Sequence, residues 1–342
     1  MSQQTIISAV APTRICDIGG WTDTWFAKRG AVFSIAVYPY VEVQLFLCDQ
    51  GGNDRVTINF ENYGERHTFD VTNLTYDHHP LIQAALEVCG VPTDVSVSAN
   101  IYSAVPPGAS TGTSAALSVA LIAGLDQLQS GTLSTHEIAS TAHSLETVKL
   151  GLQSGVQDQL ASAYGGINYL EITQYPYTTV SPLHVPDSIW WELENRLALV
   201  YIGQPHSSSK IHEQVIAAIG NDAREDSRLQ KLRLLAADAK AAVMQGDFPG
   251  LASAMNANTQ VQRDMHPRLV APEFDQAMEL SRSLGGIGFK VNGAGGDGGT
   301  LTILTEGNMA RKRLLIQRLE AAGFKNIPIY LARRGVRSWR SQ

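Results

Sequence analysis

Residues 106–117, Pro-Pro-Gly-Ala-Ser-Thr-Gly-Thr-Ser-Ala-Ala-Leu, constrain the fold of this chain more than any other stretch. A small, hydroxyl-rich loop runs straight into an apolar helical pattern that predicts a helix from about Thr113 to Leu128. Upstream, Val95-Ser-Val-Ser-Ala-Asn-Ile101 alternates and predicts a strand. Strand, glycine loop and helix N-terminus form a geometry that holds phosphate. Free backbone N–H groups point outward there, and the helix dipole favours negative charge. Ser110, Thr111, Thr113 and Ser114 add hydroxyls suited to phosphate or magnesium. No Gly-Lys-Ser/Thr ending follows, so the loop is not an ordinary P-loop. Taken alone, the segment also suits a plain structural helix, because Ser and Thr are common caps.

Three further segments carry chemistry. In Ala11-Pro-Thr-Arg14-Ile-Cys-Asp17-Ile-Gly-Gly20-Trp21-Thr22-Asp23-Thr24, Arg14 and Asp23 bracket a Gly-Gly turn where backbone can approach a ligand. A cation and a carboxylate there suit a substrate with several hydroxyls; a surface hairpin with a salt bridge fits as well. Glu146 and Asp158 are two carboxylates separated by Gly151 and Gly155, placed to converge from different elements. One would hold magnesium and the other would accept a hydroxyl proton. On a helix, Glu146 also reads as a solvated charge. Lys290-Val-Asn-Gly293-Ala294-Gly295-Gly296-Asp297-Gly298-Gly299 contains a literal G-x-G-x-x-G. It is not a dinucleotide fingerprint, because the alternating Thr300–Leu304 that follows predicts a strand rather than a helix.

The 342 residues suggest two domains, and 44% hydrophobic with 17% charged residues supply ample core. The net charge of −6 and the absence of a Lys/Arg stripe exclude a nucleic-acid role. Arg333-Arg-Gly-Val-Arg337 reads as a solvated end. Met1-Ser-Gln-Gln-Thr is polar and the apolar stretch after it is too short for a signal peptide. The longest apolar helical run, Ala115–Leu125, is too short for a membrane span. Cys16, Cys48 and Cys89 form no CxxC pair, which argues against a disulfide framework or zinc-cysteine site. A cytoplasmic protein is expected.

Strands are predicted at Thr5–Val10, Ala31–Val37 and Val41–Leu47, with Gly51–Asp54 as a hairpin turn and Val56–Phe60 as its return strand. Leu81–Cys89 reads as helix. Thr135–Leu150 reads as an amphipathic helix with Ile138, Ala142, Leu145 and Val148 on one face. A short helix is expected within 155–166. Pro176, Pro182 and Pro186 mark a domain boundary. Beyond it come a strand at Leu197–Ile202, a helical region over 210–283, strands at Phe289–Val291 and Thr300–Leu304, a helix at Met309–Ala322 and a last strand at Ile327–Leu331. That tail fits an α+β layer with helices on one face of an antiparallel sheet.

In this order the segments resemble the GHMP kinase family, the galacto-, homoserine, mevalonate and phosphomevalonate kinases. Ala11–Asp23 resembles its first motif, Pro106–Ala116 its phosphate loop and Asn292–Gly299 its third motif. Gly155–Gln159 resembles the Gly-x-x-Asp-Gln stretch of its sugar kinases. The resemblance implies an α+β two-lobed fold. An N-terminal domain, 1–185, carries a left-handed βαβ phosphate-loop unit, and a ferredoxin-like C-terminal domain spans 186–342. ATP and substrate would meet between them. Pro107, Gly108, Ala109, Ser110, Thr111, Gly112, Thr113 and Ser114 would bind ATP, with Ser114 and Glu146 on Mg2+. Asp158 would be the catalytic base and Arg14 the cation paired with it. Asp17, Gly20, Trp21, Thr22 and Asp23, with Gly293, Ala294, Gly295 and Gly296, would form the substrate side.

The departures narrow the branch. Ser110-Thr111 stand where the family usually has Gly-Leu, and Asp297 where glycine is common; its carboxylate would face substrate, a cation or solvent. Gly20-Trp21 replace the Glu-His of galactokinases. The Gly-Gly-x-Thr/Ser-Asp form looks more like heptose-phosphate, fucose and arabinose kinases, with Trp21 either packing a sugar face or sitting in the core. The expected activity is transfer of the ATP γ-phosphate to a sugar or sugar phosphate, at the anomeric hydroxyl. The alternatives are a kinase for a mevalonate- or homoserine-like alcohol and a non-catalytic sugar- or nucleotide-binding regulator. Specificity is expected from Asp17–Thr24, His78–Leu81, Tyr164–Tyr169 and 203–212, where Gln204, His206, Ser207 and Lys210 are candidates. A monomer or homodimer with no nucleic-acid or membrane partner is expected.

Overall fold

The computed structural model describes residues 5–48, 55–106, 108–129, 131–203, 208–220, 223–296 and 298–341, with the side chains of 208–212 outside the description. The first half builds strands β1 (Ile6–Ile18), β2 (Gly30–Cys48), β3 (Val56–Phe60) and β4 (Glu65–Phe69), helix α1 (Pro80–Cys89), β5 (Ser96–Ser103), α2 (Thr113–Asp126) and α3 (Thr135–Ser144). A π-helical turn, Leu145–Lys149, extends α3, and α4 (Gln157–Tyr164), β6 (Ile167–Gln174) and β7 (Tyr177–Pro182) follow. Among the described residues one sheet runs β13-β1-β2-β5-β3-β4, where β13 is the late strand Arg337–Ser341; β6 and the late strand β12 (Tyr330–Leu331) are also on β2, and β7 lies beyond β6.

The burial patterns of β1 and β2 explain the layering. β1 alternates from Ile6 to Ala11 and is then buried at every position to Ile18; β2 is buried at every position from Gly30 to Val37 and alternates afterwards. The alternating halves face helices on one side and solvent on the other. The fully buried halves lie between both lobes; Arg14 and Asp17 stand on the β1 half, and Asp23 on the connection to β2. Helix α2 is apolar all round, with ten buried residues, and so forms the centre of the N-terminal lobe.

The second half contributes α5 (Asp187–Arg196), β8 (Leu197–Gly203), α6 (Ser208–Ile219), α7 (Ser227–Gln245), α8 (Phe248–Met265), α9 (Pro272–Arg282), β9 (Gly286–Val291), β10 (Gly298–Thr305), α10 (Met309–Ala321) and β11 (Lys325–Ile327). Its antiparallel sheet has the order β11-β8-β10-β9. A strand, a helical crossover, a hairpin, a helix and a final strand in that order form the ferredoxin-like split βαβ arrangement. The chain then returns to the first sheet as β12 (Tyr330–Leu331) on β2 and β13 (Arg337–Ser341) on β1.

Several expectations are corrected. Residues 51–54 lie outside the described residues, and β3 does not return against β2. β5 takes that edge of β2, and β3 pairs with β5 in parallel. Ala31–Val37 and Val41–Leu47 form one 19-residue strand whose halves serve different neighbours, β6 and β5. The Ile327–Leu331 strand divides at Pro328, which has no N–H to give a ladder, so its ends join different sheets. In the Arg333–Arg337 end Arg333 and Arg334 are exposed as expected, while the backbone between is docked: Val336 N–H donates to Ala163 O, and a Cβ on Gly335 would overlap Ala163 O. Val148 is 80% exposed because the π-turn rotates it out of the apolar stripe, while Ile138, Ala142 and Leu145 are buried as expected.

Candidate active site

A cleft of about 540 Å³ opens between the lobes. Its walls are the β1–β2 connection, the loop before α2, the segment from Glu146 to Asp158, α6, and the Gly293–Ala294 turn.

At its floor Arg14, on the doubly covered part of β1, grips Asp158 on the first turn of α4. Arg14 Nε donates to Asp158 Oδ1 at 2.8 Å and Nη2 to Oδ2 at 3.2 Å, a two-point grip that fixes the carboxylate plane. Nη1 donates to Ser110 O, and the backbone N–H of Arg14 to Thr111 O at 2.9 Å. One side chain therefore ties the carboxylate to the phosphate loop. Burial would lower the Arg14 pKa, but Asp158, Asp17 and Asp23 outweigh it and hold the guanidinium above its ordinary value.

The loop itself is seated on the glycine hairpin between β9 and β10. Thr300 Oγ1 donates to Ala109 O at 2.8 Å. A Cβ on Gly293 would stand 3.0 Å from Ser110 O, and one on Gly299 would stand 2.9 Å from Ser110 Oγ. The density of glycine there is a packing requirement. Gly112 caps α2 with φ 71°, and a Cβ on it would meet the Asp158 carboxyl at 3.2 Å. The N-terminus of α2, with no acidic residue in its first turn, therefore opens beside Asp158.

Glu146 is buried on the cleft wall, and its Oε1 has no hydrogen-bond partner among the described residues. The π-turn puts it there: Leu150 N–H reaches back five residues to Leu145 O, and the extra residue per turn swings position 146 inward. Burial pushes the Glu146 carboxyl up, and Asp158 adds to the effect. Asp23 is likewise buried. It accepts from Gln157 N–H at 3.1 Å, and Gly155 passes so close that a Cβ would overlap its carboxylate. Burial, partly offset by that N–H and reinforced by Asp158, pushes Asp23 up to about 6.

A helix N-terminus, a carboxylate held by arginine and a buried carboxylate oxygen left open on one cleft form a phosphoryl-transfer arrangement. The profile of the GHMP kinases N-terminal domain matches residues 78–166, which hold the loop, Glu146 and Asp158. Residues 78–166 are thus similar to the N-terminal domain of the GHMP kinases. The bifunctional fucokinase/GDP-fucose pyrophosphorylase of Arabidopsis thaliana is 27% identical over 338 residues, 93% of this chain and 32% of that protein. The D-glycero-alpha-D-manno-heptose 7-phosphate kinase of Campylobacter jejuni is 27% identical over 249 residues, 72% of this chain and 71% of that one. A D-glycero-D-manno-heptose 1-phosphate kinase structure from Bacteroides thetaiotaomicron shares the fold with a TM-score of 0.77, at 22% identity over 97% of this chain and 98% of that chain. The chain thus spans about a third of the plant relative and most of the other two.

The cleft brings together Arg14, Asp17, Trp21, Asp23, Gly108 to Ser114, Glu146, Asp158, Gly293 and Ala294. Pro107 and Asp297 lie outside the described residues, as do Gln204, His206, Ser207 and the side chain of Lys210. Gly20, Thr22, Gly295 and Gly296 are not on the cleft wall. The Thr22 hydroxyl is buried, donating to Gly19 O at 2.7 Å and accepting from Ala31 N–H. A Cβ on Gly295 would overlap Leu269 O, and Gly296 N–H donates to the same carbonyl, so both glycines dock a neighbouring turn. Leu81 reaches the cleft; Tyr164–Tyr169 does not. Asp17 is at the floor but engaged with Lys290 Nζ at 3.2 Å and Gly293 N–H at 3.0 Å. The sequence reading missed Lys290, Asn292 and Gln157. Asn292 accepts from Cys16 N–H at 2.9 Å and joins the two lobes. Gln157 is buried at the cleft with Oε1 lacking a partner among the described residues. The one signal for Lys290 and Asn292 was their place at the head of the glycine turn.

Proposed function

We propose that this chain is an ATP-dependent kinase that moves the γ-phosphate onto a hydroxyl of a sugar or sugar phosphate, at the anomeric position. The observation that carries the reading is the Arg14–Asp158 pair at the mouth of the α2 N-terminus. The relatives named for fucose and heptose 7-phosphate support a sugar acceptor. The division near 185 puts the phosphate loop, Arg14, Glu146 and Asp158 on the N-terminal lobe, with the glycine hairpin supplied by the C-terminal one.

Each residue then has one task. Backbone N–H groups of Gly108–Ser114 and the helix dipole receive the phosphates. Asp158 accepts the proton of the attacking hydroxyl, and Arg14 holds that carboxylate in plane and faces the developing charge. Asp23 and Gln157 accept from and donate to sugar hydroxyls beside Trp21. Glu146 and Ser114 fit magnesium: one offers an unengaged buried carboxylate oxygen, and the other is exposed at the helix start. When bound, that ion neutralises charge between the phosphates.

The test is coupled ADP release with magnesium-ATP over free hexoses, pentoses, deoxysugars, uronic acids and heptose 7-phosphate, with mevalonate and homoserine as outgroups. Turnover confined to sugars is the expected result. Turnover only on the outgroups, or ATP binding without turnover anywhere, would overturn the assignment.

A further inference from the structure

Away from the cleft, the β3–β4 hairpin and the start of α1 bring three metal-ligating side chains to one point. Glu65 and His67 are alternate residues of β4 and so share a face. His79, the N-cap of α1, reaches the same spot from across the hairpin. Glu65 Oε2 lies 3.4 Å from His67 Nε2 and 3.2 Å from His79 Nε2, and all three ligand atoms lie within 4.8 Å of one another. Zinc held at about 2.0–2.1 Å in a tetrahedron sets neighbouring ligand atoms about 3.3 Å apart. Two of the three ligand edges therefore already have the required length.

The rings are also held in place. His79 stacks on Phe60 with 3.9 Å between centroids and 19° between planes, and Phe60 sits opposite Glu65 in the hairpin register. His67 stacks on His78 at 5.1 Å and 26°. The His79 backbone has φ 49° and ψ 62°, a left-handed conformation uncommon for a residue with a side chain. That conformation turns the ring toward the hairpin at the head of the helix.

We propose that Glu65, His67 and His79 form a site for a divalent metal ion of the zinc class, with three protein ligands and an open fourth position. Each imidazole ligates through the Nε2 lone pair with its ring proton on Nδ1. Metal bonds replace the two hydrogen bonds to Glu65. Two nitrogen donors exclude magnesium as the preferred occupant, so the site differs in chemistry from the cleft. Its place gives it a structural consequence: Leu81, two residues beyond His79, lines the cleft. An ion here clamps the hairpin to the start of α1 and steadies that wall.

Isothermal titration of the full chain without a histidine tag, with zinc chloride and separately with magnesium chloride, tests the proposal. One zinc per chain and no saturable magnesium binding in the absence of nucleotide are expected. His67→Ala, His79→Asn and Glu65→Gln should each weaken zinc at least tenfold, while His184→Ala, an exposed histidine elsewhere, should not. Circular dichroism of the metal-free variants verifies folding, and asparagine tolerates the left-handed conformation at 79. Cobalt should give the intense visible bands of a four-coordinate ion in the parent chain and lose them in His67→Ala. No saturable zinc binding, or equal binding in the folded variants, overturns the site.

Discussion

Asp158 and Asp23 are carboxylates of one cleft with opposite environments. Asp158, on the first turn of α4, is fixed by a bidentate arginine. Asp158→Asn keeps the shape but removes the proton acceptor, so kcat should fall about 10²–10⁴-fold while ATP binding stays near the parent value. Single-turnover kinetics with nucleotide titration reads both; a parent-like kcat would remove Asp158 from the chemistry. Deep burial, reinforced by Asp158 and only partly offset by the Gln157 N–H, pushes Asp23 from 3.8 to about 6. Its folded value lies above its unfolded one, so the folded chain binds the extra proton between about pH 4 and 6. Stability from this group is fully present below that window and is lost as pH rises through it, by on the order of 3 kcal/mol. In the proposed role function runs the other way, because a protonated Asp23 would accept fewer hydroxyls. The sugar KM should rise as pH falls below about 6 with the ATP KM little changed, and Asp23→Asn should flatten the profile. A sugar KM independent of pH between 5 and 7 would rule Asp23 out as the hydroxyl acceptor.

Among the elements, the π-turn at Leu145–Lys149 carries Glu146 onto the cleft wall. Deleting Val148, exposed and without a packing role, would restore α-helical register and turn Glu146 away from the cleft. That deletion and Glu146→Gln should both raise the magnesium concentration needed for half-maximal rate. Unchanged magnesium titrations in both would deny Glu146 that role. The turn also shows why part of the site was illegible in the sequence. A 3.6-residue period cannot report an inserted residue, so it placed Val148 inside and left Glu146 between a solvated and a liganding reading. The phosphate loop and the strand preceding it were legible because glycine, hydroxyl residues and alternation are local signals. The same locality explains the refusal of a dinucleotide fingerprint at 293–298, where the glycines do lead into β10. β6, β7 and β13 went unread. Glycines 165–166 and Pro176 masked the first two as loop, and Arg337-Ser-Trp-Arg-Ser is polar because it lies on a sheet edge.

At the scale of the molecule, the lobes are joined by a buried ion pair that no spacing rule could reveal, since Asp17 and Lys290 stand 273 positions apart. Both side chains are 1% exposed. Burial pulls the Lys290 pKa down, while Asp17 opposes that fall. Lys290 also donates to Val291 O and lies 3.4 Å from Gln262 Oε1. Asp17 in turn stands 3.9 Å from Arg14 Nη1, so Arg14 has a second carboxylate within ion-pair distance besides Asp158, and Lys290 engages it. Lys290→Met leaves the Asp17 charge buried and unpaired, which should cost about 3–5 kcal/mol of stability. It should also lower kcat, because the uncompensated Asp17 draws Arg14 from Asp158. Asp17→Asn added to Lys290→Met removes that charge while keeping an acceptor for Gly293 N–H, and it should recover both stability and turnover over the single variant. The double-mutant cycle distinguishes this from simple loss of packing, in which the two changes would add. A Lys290→Met chain with the parent melting temperature and kcat would show that the pair neither joins the lobes nor guards the arginine.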